Sequence, residues 1–114
     1  MKVRLTDKQW QKILPFLKSC PNIYVGQEQE CRQFLEAVLW IARSGAQWRL
    51  LPDEYGQWNT VYKRFARWSH QNVFEQLFDF CAKETDLNHL MIDSTIVRAH
   101  ASSAGAQKNT DSSS

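Results

Sequence analysis

The chain has 114 residues, 43% hydrophobic and 23% charged, which fits one soluble globular domain of modest core and excludes a disordered polymer or two full domains. Its net charge of +2 is too small to imply nucleic acid by composition, but the charge is unevenly placed: +3 from Arg43 to Trp68 and −4 from Ser69 to Asp93. Cys20, Cys31 and Cys81 show no Cys-x-x-Cys spacing, no leader or membrane-length apolar run is present, and the reading is a cytoplasmic protein with no structural zinc and no membrane partner.

In chain order, Thr6-Asp7-Lys8-Gln9 has the form of a capping box, a hydroxyl with an amide three residues on. Trp10, Ile13, Leu14 and Leu17 follow at helical spacing, and Pro15, lacking an N–H, is expected to end or bend this helix. Ser19 to Gly26 reads as a loop. A second helix is marked by the stripe Cys31, Phe34, Leu35, Val38, Leu39 and Ala42, widened by Trp40 and Ile41, with Gly45 as its stop. Cys31 and Cys81 fall on apolar helical positions and read as small hydrophobes.

Trp48 to Trp58 reads as a connector pinned to the core by Trp48, Leu50, Leu51 and Tyr55, with Trp58 also an anchor. A third helix is expected to start at Asn59 or Thr60, both good caps. A fourth is expected over about Val73 to Glu84, with Val73, Phe74, Leu77, Phe78 and Cys81 facing inward.

On a wheel of the third helix, Val61, Phe65 and Trp68 fall together, while Thr60, Lys63, Arg64 and Arg67 fall on another side. A short helix with one apolar and one cationic face, following a buried helix, is what helix-turn-helix DNA binding requires. Tyr62, at the edge of the exposed side, is placed to touch sugar or phosphate, and Arg43 and Arg49 are the neighbouring cations of the same basic region. The plain alternative is a solvated helix face.

Leu90 to His100 reads LMIDSTIVRAH, an apolar β-branched run enclosing one acid, Asp93. A carboxylate there is either hydrogen-bonded or metal-holding, or it is a turn acid at a strand end; the segment alone does not choose. Arg98 shares a strand face with Ile96 and His100. His70, His89 and His100 have no common ligand spacing and read as surface histidines. From Ala101 the composition is that of a disordered tail.

The stretches Phe34 to Ala46 (FLEAVLWIARSGA), Trp48-Arg49-x-Leu51-Pro52 and Gly56-x-Trp58-Asn59-Thr60-Val61-Tyr62-x-Arg64-Phe65-x-x-Trp68 come in this order. With LMIDSTIVRAH and Ala104-Gly105-Ala106 after them, they resemble the N-terminal part of bacterial insertion-sequence transposases, the insertion-sequence-five-like group with a DDE core. The resemblance implies a compact, mainly α, helix-turn-helix-like DNA-binding domain over residues 1–86. It implies the first strand of a truncated ribonuclease-H-like α/β core over 87–100, and a tail over 101–114.

It also implies that Asp93 is the first of three catalytic carboxylates, holding Mg²⁺ only with the other two, which lie downstream in full-length members. One aspartate cannot hold and space two such ions, so no bound metal and no cutting or joining of DNA are expected of this polypeptide alone. The implied partner is double-stranded DNA, the terminal inverted repeats of the element, with the downstream catalytic half or a full-length transposase as a second partner. Gln107-Lys108-Asn109 can be encoded by an A-rich run on which ribosomes slip, which suggests the upstream frame of a two-frame transposase. A decayed fragment, or a non-catalytic regulator of transposition, are the alternatives. An unpaired Asp93 strand is expected to pair loosely with itself, pack against the helices or drive self-association.

Overall fold

The computed structural model describes residues 3–21 and 23–87. Four α-helices follow one another, α1 (Asp7–Ser19), α2 (Glu28–Ser44), α3 (Trp58–His70) and α4 (Val73–Lys83), with two 3₁₀ turns, Trp48–Leu50 and Asp53–Tyr55, between α2 and α3. No strand occurs among the described residues. The mainly α reading therefore holds for the helical part. The expected strand with Asp93, the residues His89, Arg98 and His100, and the tail from residue 101 lie outside the described residues.

The capping box of α1 forms in both directions. Gln9 N–H donates to Thr6 Oγ1 at 3.1 Å and Thr6 N–H donates to Gln9 Oε1 at 2.9 Å, satisfying two first-turn donors that have no partner within the helix. Trp10, Ile13 and Leu17 form the buried face. Pro15 does not end the helix, which continues to Ser19. Pro15 and Gln11 are both exposed, so the carbonyl that loses its hydrogen bond is on the side where water replaces it. Ile13 and Leu17, on the opposite side, keep the helix on the core.

α2 follows the expected stripe and stops at Gly45, whose φ of 67° is left-handed and whose N–H donates to Ile41 O at 2.9 Å. One acid departs from the pattern. Glu36 is only 4% exposed; its Oε2 accepts the Leu5 N–H at 2.8 Å, and the guanidinium groups of Arg4 and Arg32 each lie 3.8 Å from the carboxylate. Residues 3–5 thus run against α2, burying Val3 and Leu5. Tyr55 Oη closes the same segment, accepting the Val3 N–H at 2.7 Å and donating to Val3 O at 3.2 Å. The polar backbone of this entry segment is satisfied by side chains rather than by a sheet.

The connector is anchored by Leu51 and Tyr55, both buried, and by Trp48, which packs against Phe65 at 5.0 Å and edge-on to Tyr62 at 5.6 Å. Leu50 is not an anchor: it is 64% exposed. In a 3₁₀ turn, residues three apart share a face, so Trp48 and Leu51 point inward together and Leu50 points away.

α3 starts at Trp58, earlier than Asn59 or Thr60 would set as caps, and its N-cap Gln57 makes no side-chain capping bond. The second 3₁₀ turn, ending at Gly56 with φ 108°, directs the chain into the helix here, and the Val61 N–H already donates to Gln57 O at 3.1 Å. Trp58, at 37% exposed, sits on the surface rather than in the core. Val61, Phe65 and Trp68 face inward as expected, and Trp68 meets Phe34 edge-on at 5.0 Å while Phe65 meets Phe74 at 5.0 Å. Such ring pairs add about 0.5–1.5 kcal/mol each beyond the area they bury; they bind α2, α3 and α4 together.

The helix-turn-helix expectation needs one amendment. The α2–α3 connection spans residues 45–57 with two turns inside it, far longer than the three or four residues of that motif. The tight link is Gln71–Asn72, between α3 and α4, with Asn72 left-handed at φ 60°.

Candidate nucleic-acid interface

The outward residues of α3 are Thr60, Lys63 and Arg67, all exposed, with Arg49 exposed on the first 3₁₀ turn that packs beside α3. Among the described residues, Lys63, Arg67 and Arg49 form no ion pair, whereas every described cation before residue 40 does. Arg4 meets Glu36 and Glu54, Lys8 and Lys12 meet Asp86, Lys18 meets Glu28, and Arg32 meets Asp7. Of the exposed cations with no ion pair among the described residues, Arg49, Lys63 and Arg67 are thus gathered around α3, and Lys83 stands apart in the last turn of α4. The exposed residues in the middle of α4, Glu75, Gln76 and Asp79, are acidic or neutral, so the part of that helix next to the tight turn does not extend this patch.

Arg64 has a different task from its neighbours. Its Nη2 donates to Tyr24 O at 2.9 Å and to Val25 O at 3.0 Å. The guanidinium lies over the rings of Phe34, 4.9 Å from the centroid, and Trp68, at 5.4 Å. Arginine's planar, weakly hydrated head suits both contacts at once. This side chain ties the α1–α2 loop to α3. Tyr62 is half-buried against Trp48, at the border of the basic face. Arg43 is exposed in the last turn of α2, where a cation complements the helix dipole.

Thr60, Arg64 and Arg67 also line an open cleft of about 410 Å³ together with Tyr24, Glu30, Gln33 and Gln57. Tyr24 is 71% exposed. Its position depends on Gly26: a Cβ there would lie 2.7–2.9 Å from the hydroxyl end of the Tyr24 ring, and the φ of +63° is one that side chains rarely adopt. The loop composition of Ser19 to Gly26 does not by itself single out this aromatic. The available signal is an aromatic two residues ahead of a glycine, between Ile23 and Val25.

Nothing in the described part offers a different chemistry. Burial pushes the Cys31 and Cys81 thiols up to about 11, and raises that of Cys20 as well, so none is a ready nucleophile near neutral pH. His70 is exposed. Glu84 and Asp86 are occupied by Lys12, at 3.7 and 2.5 Å. No group of three or more His, Cys, Asp or Glu residues among the described residues is arranged to hold a metal, so this part does not fit the Mg²⁺ of a DDE centre. Among the described residues no helix is long and apolar enough to cross a membrane.

Comparison with known proteins agrees with the family resemblance read from the sequence. Residues 5–78, from the buried Leu5 into α4, match the family described as "Putative transposase of IS4/5 family". The chain is 43% identical over 104 residues to the "Uncharacterized protein y4sN" of Sinorhizobium fredii (strain NBRC 101917 / NGR234), covering 91% of this chain and 83% of that protein. No solved structure matches. The chain belongs to the IS4/5 transposase family.

Proposed function

We propose that the four-helix domain is the DNA-recognition part of a transposase and engages the terminal inverted repeats of its own insertion sequence through α3. The observation that carries this reading is the segregation of charge. Lys63, Arg67 and Arg49 stand exposed with no ion pair among the described residues, while every described cation before residue 40 meets a carboxylate. Cations in contact with acids have little left to give a phosphate; those of α3 release counterions on binding DNA. Thr60 adds a hydroxyl for a phosphate contact, Arg43 and Tyr62 lie at the margins, and Arg64 acts by holding the loop that flanks the face.

In this reading Asp93 is the first carboxylate of the DDE set and contributes to Mg²⁺ binding only when two further carboxylates join it, from a fused or partnering catalytic half. This polypeptide by itself then neither cleaves nor joins DNA. If it occurs unfused, it acts as a regulator that occupies the ends or joins a full-length transposase.

The test is binding of the purified chain to its element's terminal repeats and to scrambled duplex across a salt series. Preference for the repeats is expected. The Lys63→Ala, Arg67→Ala double variant should flatten the slope of log affinity against log salt by about 1.8, at about 0.9 per phosphate contact. Lys8→Ala with Lys12→Ala should leave it unchanged. An unchanged slope in the α3 variant moves the DNA surface away from this helix.

A further inference from the structure

The cleft beside α3 has a composition that duplex contact alone does not use. Tyr24 presents a largely exposed ring on a backbone that Arg64 fixes through the carbonyls of Tyr24 and Val25, and the hydroxyl end of the ring lies beside Gly26. With its backbone fixed, a tyrosine has only two side-chain torsions left to order on binding, a small entropy cost. Thr60 and Arg67, a hydroxyl and a cation with no ion pair among the described residues, line the same cleft. An aromatic platform beside phosphate-binding groups is the arrangement that takes a nucleotide released from its stack. A base pair inside the duplex cannot use it, because both its faces are covered by its neighbours.

We propose that this cleft binds one unpaired nucleotide at the end of a DNA duplex, its base stacked on Tyr24 and its phosphate met by Thr60 and Arg67. The inference rests on the reading of α3 as the DNA-facing helix, and adds to it a preference for DNA with an unpaired end. Arg64 is a positioning residue here, acting through the loop. Glu30 lines the same cleft and opposes the phosphate, which limits the affinity of the site.

The experiment is fluorescence anisotropy with a short labelled duplex, blunt or carrying one overhanging thymidine, in the full chain. Wild type should favour the overhang about tenfold, the scale of one base–aromatic stack. Tyr24→Ala should bring the two duplexes to parity with blunt binding unchanged, Tyr24→Phe should keep the preference, and Glu30→Gln should increase it. Equal binding of both duplexes by wild type, or a preference that survives Tyr24→Ala, overturns the proposal. Loss of preference in Tyr24→Phe overturns stacking as its basis. Lys63 does not line the cleft, so Lys63→Ala reports on the α3 reading separately. That reading fails if blunt binding is untouched in this variant, whereas the cleft is judged on the ratio between the two duplexes.

Discussion

α1 and α3 are both thirteen residues long, both amphipathic, and both carry cations on their outer sides, yet they present opposite surfaces to solvent. On α1, Lys8, Lys12 and Lys18 each meet a carboxylate from another part of the chain. On α3, Lys63 and Arg67 meet none among the described residues, and Arg64 is turned to two backbone carbonyls. Counting cations along a helix therefore does not describe its surface charge. What sets it is which cations the rest of the fold leaves unneutralised, and that depends on where Glu28, Glu84 and Asp86 are brought.

The comparison is sharpest within α3 itself. Arg64→Ala should lose about 2–3 kcal/mol, since two charge-assisted bonds and the contacts over Phe34 and Trp68 go together. This should lower the melting temperature by roughly 10 °C or more. Arg67→Ala, three residues on, should fall within about 0.5 kcal/mol of wild type. Thermal unfolding by circular dichroism separates them; equal losses would mean that Arg67 has a structural partner too.

Smaller effects distinguish how the two helices begin. Thr6→Ala breaks the capping box of α1 and should cost about 1 kcal/mol. α3 has no side-chain cap, so Gln57→Ser should instead gain about 0.5–1 kcal/mol. Urea midpoints at constant slope measure both, and a loss in the second would show that Gln57 holds the connector in some other way.

The smallest effect is in pH. The Lys12 ammonium donates to Asp86 at 2.5 Å, holding that carboxyl below the usual carboxylate range and raising Lys12 above its own. The contribution of Asp86 is complete above the pKa of an unfolded aspartate and is lost as pH falls through the lower native value. That of Lys12 is complete below the pKa of an unfolded lysine and is lost as pH rises through the higher native value. Between these limits the pair's contribution does not vary. Asp86→Asn should therefore differ slightly from wild type near neutral pH and converge with it in strong acid. Melting temperatures across a pH series test this, and a gap that persists in strong acid counts against the pairing.

Much of this frame was legible in the chain. The Thr6 box, the α2 stripe with its Gly45 stop, and the inward residues of α3 and α4 are local patterns, set within one or two turns, and each took its expected form. The misreadings have a common cause. Pro15 was judged by the bond it removes, without the solvent that replaces it on its exposed side. Leu50 was judged by hydrophobicity, without the threefold geometry of its turn. Glu36 and Arg64 were unreadable because their partners are remote: Leu5 lies 31 residues from Glu36, and Tyr24 lies 40 from Arg64. A wheel places a side chain on a face, but it does not say which distant backbone groups will be waiting there.

The clamp on Asp86 has a mechanical side. Leu87 is 0% exposed, and the residue before it is gripped by Lys8 and Lys12, so the chain leaves the helical domain from a fixed point on the flank of α1. A pull transmitted from residue 88 onward is delivered first into α1 and α4. The ion pairs and Leu87 then act as a strain relief, with the load borne on one flank and α3 left outside its path.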